Sequence, residues 1–182
     1  DHRDLHPRVR RQRQMCIRHR LSTAVLLFLD QIAKYLAVLH LKGQAAIPII
    51  KNVFELQYLE NQGAAFGIMQ GKKTFFVIGT LIFLVIVVIL YHNIPLTKRF
   101  TPIRIVAVLI VAGAIGNMID RVVHQYVIDF FYFKLINFPI FNVADIYVVV
   151  ACILFILLML FYYKEAELGQ IFPFMKNKKA EE

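Results

Sequence analysis

Thr74-Phe-Phe-Val-Ile-Gly-Thr-Leu-Ile-Phe-Leu-Val-Ile-Val-Val-Ile-Leu-Tyr91 holds no charged residue and is apolar all round. At about 1.5 Å per helical residue it crosses a hydrocarbon core of about 30 Å, so this run predicts a membrane span. Three comparable runs surround it, Leu21–Leu41, Ile105–Ile119 and Ile140–Tyr163. The whole chain agrees: 182 residues, 59% hydrophobic and only 18% charged, with a mean hydropathy of +0.61. An all-α multi-spanning membrane protein with four transmembrane helices follows.

The net charge of +9 does not indicate a nucleic-acid partner. Seven arginines fall within the first twenty residues, and most other basic residues lie between or after the apolar runs. Positive-inside topology and contact with anionic membrane lipids account for that pattern. The basic N-terminal arm, the 92–104 loop and the C-terminal tail place both termini in the cytoplasm, with 42–73 and 120–140 facing outward. Residues 1–14 lack apolar periodicity and are expected to be disordered, an upstream extension ahead of Met15. The division is a basic disordered arm over 1–19, a membrane domain over 20–163 and a basic cytoplasmic tail over 164–182. Leu21–Leu41 is not a cleavable signal peptide, because charges interrupt it and no small-residue cleavage site follows. Cys16 and Cys152 form no disulfide framework, and the chain has no His/Cys ligand cluster, so no metal is expected.

Between the first two spans, Phe54-Glu-Leu-Gln-Tyr-Leu-Glu60 alternates apolar and polar residues like a half-buried strand. Asn61-Gln-Gly-Ala-Ala-Phe-Gly67 and Gly71 follow, small enough for a tight hairpin or for a backbone that approaches a substrate.

The polar residues inside apolar surroundings carry the functional question. Asp129 and Asp145 lie sixteen positions apart in a segment rich in aromatic residues, with Pro139 between them. That spacing suits two elements joined by a turn, and two converging carboxylates can share one proton. Asn142 and Asp145 also have the spacing of a capping box. Asp30 and Lys34 stand at i, i+4 in the first span, acid first, as an ion pair does on one helix face. Ala112, Gly113 and Gly116 permit close helix packing. Asn117, Asp120 and Arg121 follow on one face, with Asp120 and its neighbour Arg121 reading most simply as a charge pair. Residues alone leave three readings: an intramembrane aspartyl hydrolase, a proton- or ion-coupled transporter, and a scaffold held by polar contacts.

Asp30 with Lys34, Asn61 to Gly67, Gly113 to Arg121, Val127-Ile-Asp129-Phe and Phe141-Asn-Val-Ala-Asp145 together resemble the bacterial lipoprotein signal peptidase (signal peptidase II) family over about residues 20–163. The resemblance implies an aspartic endopeptidase of the bacterial cytoplasmic membrane, with an extracytoplasmic β-cradle between helices 1 and 2 and no cofactor. Its substrates would be lipid-modified prolipoproteins, cut just N-terminal to the diacylglyceryl cysteine to release the signal peptide. On the matching motifs Asp129 and Asp145 are the catalytic acids. Asn61, Gly63, Asn117, Asp120, Arg121 and Asn142 line or support the site, and Asp30 and Lys34 form the first-helix pair. The arginine-rich arm and Ile146, where small polar residues are common, depart from the family pattern. A monomer suffices. An N-capped fourth helix favours charge on Asp145, and the apolar sequence neighbours of Asp129 favour its proton.

Overall fold

The computed structural model describes residues 5–63 and 73–171, and the side chains of 17–63 and 74–171. In chain order the elements are α1 (Leu5–Leu41), β1 (Ile47–Ile50), β2 (Phe54–Asn61), α2 (Lys73–Asn93), α3 (Thr101–Val123), β3 (Val127–Tyr132), α4 (Val143–Leu157) and α5 (Glu165–Ile171). Among the described residues, four stretches are long and apolar enough to cross a membrane: Ile17–Leu41, Thr74–Asn93, Lys98–Val123 and Val143–Tyr162. The protein is a multi-pass membrane protein, built as the composition requires.

The middle of the bundle is α3, against which α1, α2 and α4 all pack. It starts where Pro102 can sit without losing a hydrogen bond, in the first turn. Its small residues then set the spacing. A Cβ added at Gly113 would lie 2.6 Å from the Ala144 carbonyl oxygen and 2.7 Å from Val148 Cγ2, and one added at Gly116 would lie 2.5 Å from Asp30 Oδ2. The small-residue stripe therefore brings α4 against one side of α3 and the carboxylate of α1 against another. By contrast α2 has no buried residue in its span. A stripe including Thr80, Leu84 and Val87 is half-buried, and the other side chains point out of the bundle, as expected of a span with no polar face.

The sheet expected between the first two spans is present and larger than its sequence signal. Order is β1-β2-β3, antiparallel throughout, and the third strand comes from the α3–α4 connection. Val127 to Phe130 are all buried, so this strand lacks the alternation that marked β2. β2 pairs Leu56 with Phe131 and Leu59 with Asp129, which puts one extra residue in β2 between the two pairs. Such a bulge re-aims the side chains beside it. Here it lies next to Asp129. Beyond β3, the Phe141 carbonyl accepts from Phe130 and Phe131 N–H at 3.0 and 2.8 Å, and Phe141 N–H returns a bond to Phe131 at 3.0 Å. The residue preceding Asn142 is thereby fastened to the strand that carries Asp129.

The N-terminal arm differs from the sequence expectation. Helix α1 begins at Leu5, where the composition had suggested a disordered arm. Arginine and glutamine are good helix formers, and a helix nucleated in the span propagates through them. At the other end α4 runs on through a π-helical turn, Leu158–Tyr162, which stops at Tyr163 in extended backbone before α5 begins at Glu165. Ile171 of α5 is buried with Ile94, Phe100, Ile103 and Tyr163, so the segment after residue 164 starts as a docked helix. The Ala64–Gly67 part of the glycine-rich loop, Gly71, and the basic residues Lys176, Lys178 and Lys179 lie outside the described residues.

Candidate active site

Asp145 stands in the first turn of α4, three residues after its N-cap Asn142, and the predicted capping box is formed. Asn142 Oδ1 accepts from Asp145 N–H at 3.0 Å, and Asn142 N–H donates to Asp145 Oδ2 at 3.1 Å. Asn142 is completely buried, and its amide Nδ2 donates to Asp129 Oδ1 at 2.6 Å. One asparagine thus touches both carboxylates. Asn61, the diagonal neighbour of Asp129 across the β2–β3 pair, donates to Asp129 Oδ2 at 2.8 Å. Gly63 N–H fixes that amide by donating to Asn61 Oδ1 at 3.0 Å.

A second tier lies beneath, on α1 and α3. Asn117 Nδ2 donates to Asp145 Oδ1 at 2.8 Å. Its Oδ1 accepts from Lys34 Nζ at 3.0 Å and from Asn142 Nδ2 at 3.1 Å. Two donors on that oxygen leave the amide one orientation, with its N–H2 toward the carboxylate. Lys34 is 1% exposed and Asp30 0%. They pair at 3.0 Å as their spacing predicts, and Asp120 is a second counterion of Lys34 at 2.8 Å. The expected Asp120–Arg121 pair is not what forms. Adjacent helix positions point about 100° apart, so Asp120 faces α1 while Arg121 faces away from it. Arg121 instead donates to the Gly63 carbonyl at 3.2 Å and lies 4.9 Å from the Phe76 ring centre.

The acids of this tier also hold backbone. Asp30 Oδ1 accepts from Ala144 N–H at 2.9 Å, satisfying a free donor in the first turn of α4. Asp120 Oδ2 accepts from Ile128 N–H at 3.2 Å, next to Asp129. A buried charge without partners is costly, and here every acid has several. Gln31, absent from the sequence-derived site, belongs to this tier as well: its Nε2 lies 3.2 Å from both Asp30 Oδ2 and Asp120 Oδ1. A polar residue beside Asp30 in an otherwise apolar span was its available signal.

All ten site residues expected from the sequence form one connected network. Asp129, Asp145, Asn61, Asn117 and Arg121 face a cavity of about 640 Å³ whose remaining wall is largely apolar, including Phe141, Ile146, Val149 and Val150. Asp129 is 2% exposed. Burial first, and the charge of Asp145 second, push it up to about 7 against the lowering effect of the Asn61 and Asn142 amides. Ile146, set beside Asp145, supplies apolar wall and leaves both carboxylates in place.

Comparison with known proteins gives a consistent answer. The family model described as signal peptidase (SPase) II matches residues 22–161. A lipoprotein signal peptidase of Caldanaerobacter subterraneus subsp. tengcongensis is 45% identical over 139 residues, 76% of this chain and 92% of that one. One of Clostridium novyi is 42% identical over 137 residues, 74% of this chain and 91% of that one. A bacterial membrane enzyme structure obtained by the in meso method superposes with a TM-score of 0.68 at 32% identity, covering 80% of this chain and 94% of that one. With the match spanning all four membrane helices and the polar network between them, the chain belongs to the signal peptidase II family.

Proposed function

We propose that this protein is an aspartic endopeptidase that removes signal peptides from lipid-modified prolipoproteins, cutting immediately before the lipidated cysteine. The observation that carries the reading is the meeting of Asp129 and Asp145, from β3 and α4, at one apolar-walled cavity with Asn142 between them. Asp145, in a helix first turn, is the better-stabilised anion and takes a proton from the attacking water. Asp129, buried among aromatic residues, donates its proton to the scissile carbonyl oxygen. The water oxygen bonds to the carbonyl carbon; as the C–N bond breaks, Asp145 passes its proton to the leaving amine and Asp129 takes one back from the hydroxyl of the intermediate as the carboxyl product forms. Asn61 and Asn142 hold Asp129, while Asn117, positioned by Lys34, holds Asp145. Arg121 and Gly63 define the rim. The basic ends and the basic 92–104 loop support cytoplasmic termini, with the aspartates toward the outer face of the cytoplasmic membrane. One chain supplies both acids, so the monomer is the active unit.

The wall of Ile146, Val149 and Val150 lies on a membrane-spanning helix and suits acyl chains. Each buried methylene contributes about 0.8 kcal/mol, so two chains dominate binding of a mobile precursor. The test presents one precursor with and without its diacylglyceryl group, at neutral pH and with chelator present. Cleavage before the cysteine of the lipidated form alone, unaffected by chelator, is the expected result. Equal cleavage of both forms removes the lipid-recognition step. A transporter would show pH-driven flux in sealed vesicles and no cleavage.

The raised Asp129 also gives a pH signature. Its proton is lost as pH rises through about 7, so the cleavage rate is expected to fall on the alkaline side of that value. The stability effect has the same direction. Between the unfolded carboxyl value of about 4 and the native value, the folded state keeps a proton that the unfolded chain releases, so stability falls as pH rises across that window. Melting curves of the wild type from pH 4 to 8 should slope downward, and those of Asp129→Asn should be flatter. Parallel curves would mean that Asp129 is not raised.

A further inference from the structure

Far from the aspartates, at the opposite end of the bundle, α1 and α2 both rest on α3 and make little contact with each other. The seam between them contains a cavity of about 240 Å³ with an apolar wall that includes Val88 and Val111 and a polar mouth of His19, Arg20 and His92. A 2.6 Å hydrogen bond between His19 Nδ1 and the Tyr91 hydroxyl ties the two helices there. Behind Tyr91 lies Arg104, 2% exposed, its guanidinium 5.0 Å from the ring centre and its Nη2 donating to the Ile94 carbonyl. Arg104 Nε has no hydrogen-bond partner among the described residues.

Basic side chains predominate at this end, where the acids of α5 are Glu165 and Glu167. Glu167 is engaged by Arg99 at 2.9 Å, and among the described residues no salt bridge reaches Arg20 or Arg104. The buried guanidinium of Arg104 adds positive potential behind the seam, and exposed Arg20 stands at the groove with the His92 ring beside it as a hydrogen-bonding group. The groove itself opens between membrane-spanning helices, where the surrounding medium supplies acyl chains. Positive mouth and hydrocarbon wall together match one kind of ligand.

We infer that this seam binds a single anionic phospholipid, its phosphate at Arg20 and His92 and an acyl chain along Val88 and Val111. Zwitterionic lipid fits less well, because its ammonium group would be brought to a surface that already carries excess positive charge. Basic pockets between membrane helices hold anionic headgroups in this manner, and each surface cation contributes enough to shift occupancy several-fold.

The test is native mass spectrometry of the full chain in detergent, titrated separately with phosphatidylglycerol and phosphatidylcholine of equal chain length, with melting temperature read in parallel. The wild type is expected to retain one phosphatidylglycerol with about a tenfold preference. Arg20→Glu combined with His92→Glu should lose that preference. Val88→Phe, which fills the groove and leaves every charge in place, should lower retention of phosphatidylglycerol by about the same factor. Either variant alone decides the matter if the other fails to fold. Equal retention of the two lipids by the wild type overturns the proposal, as does undiminished retention in a folded variant. Stabilisation by soluble glycerol phosphate equal to that by the lipid overturns it too, since the acyl wall would then be irrelevant.

Discussion

Asp145→Asn and Asp129→Asn are each expected to lower the rate of precursor cleavage by about a thousandfold or more. A positioned proton-transfer group typically contributes between about a hundred- and ten-thousandfold, and an amide keeps the shape of the carboxylate without exchanging its proton. The geometry adds a structural effect that must be measured separately. Asp145 accepts from Asn117 and Asn142 on its two oxygens, and Asp129 accepts from Asn61 and Asn142 on its own. Asparagine at either site turns one acceptor into a donor facing a donor, which costs about 1–3 kcal/mol. Melting temperature and binding of the lipidated precursor therefore accompany the kinetics, and a folded, binding, inactive variant is the expected outcome. The double variant should be hardly worse than either single one, because two groups sharing one proton act as a unit. A folded single variant within tenfold of wild type would falsify the dyad.

Lys34→Ala carries the largest expected loss of stability, about 3–5 kcal/mol. The ammonium serves Asp30 at 3.0 Å, Asp120 at 2.8 Å and Asn117 at 3.0 Å, all within the bundle. Its removal leaves two carboxylates facing each other without a counterion and frees the Asn117 amide to turn away from Asp145. Adding Asp30→Asn and Asp120→Asn to a Lys34→Met chain should recover a large part of the loss, since the buried charges leave together while an oxygen remains at residue 30 for Ala144 N–H. Thermal unfolding in detergent reads both chains. A loss under about 1 kcal/mol for Lys34→Ala would show that water already reaches this tier.

The parts legible in the sequence were those set by local periodicity. Four apolar runs gave the spans, the i, i+4 spacing gave the Asp30–Lys34 pair, and Asn142 with Asp145 three residues later gave the cap. Asp120 was misread because its partner is 86 positions away in the chain, and nothing local ranks Lys34 above the adjacent Arg121. β3 went unassigned for a related reason. With Val127 to Phe130 all buried, its pattern is a plain apolar run, which periodicity cannot tell from a piece of helix. Gln31 was passed over since a neutral amide in a span attracts less notice than a charge, although it bridges two acids. The motifs that carried the family resemblance pointed to every other residue of the network, but only the folded chain shows which donor serves which oxygen.

The bond from Ala144 N–H to Asp30 also joins the first membrane-spanning helix made to the last. Its two residues are 114 positions apart, an interval of on the order of ten seconds on the ribosome. During that delay α1 resides in the bilayer with Asp30 and no α4 to receive it, and the ion pair with Lys34 on the same helix lets it wait as a neutral unit. Asp120 arrives next, and Asp145 last. A nascent chain halted before α4 carries Asp129 with no second acid beside it. On the proposed pair of acids, the peptide bonds of precursors passing through the same membrane stay out of reach until the last membrane-spanning helix is made and its first turn meets Asp30.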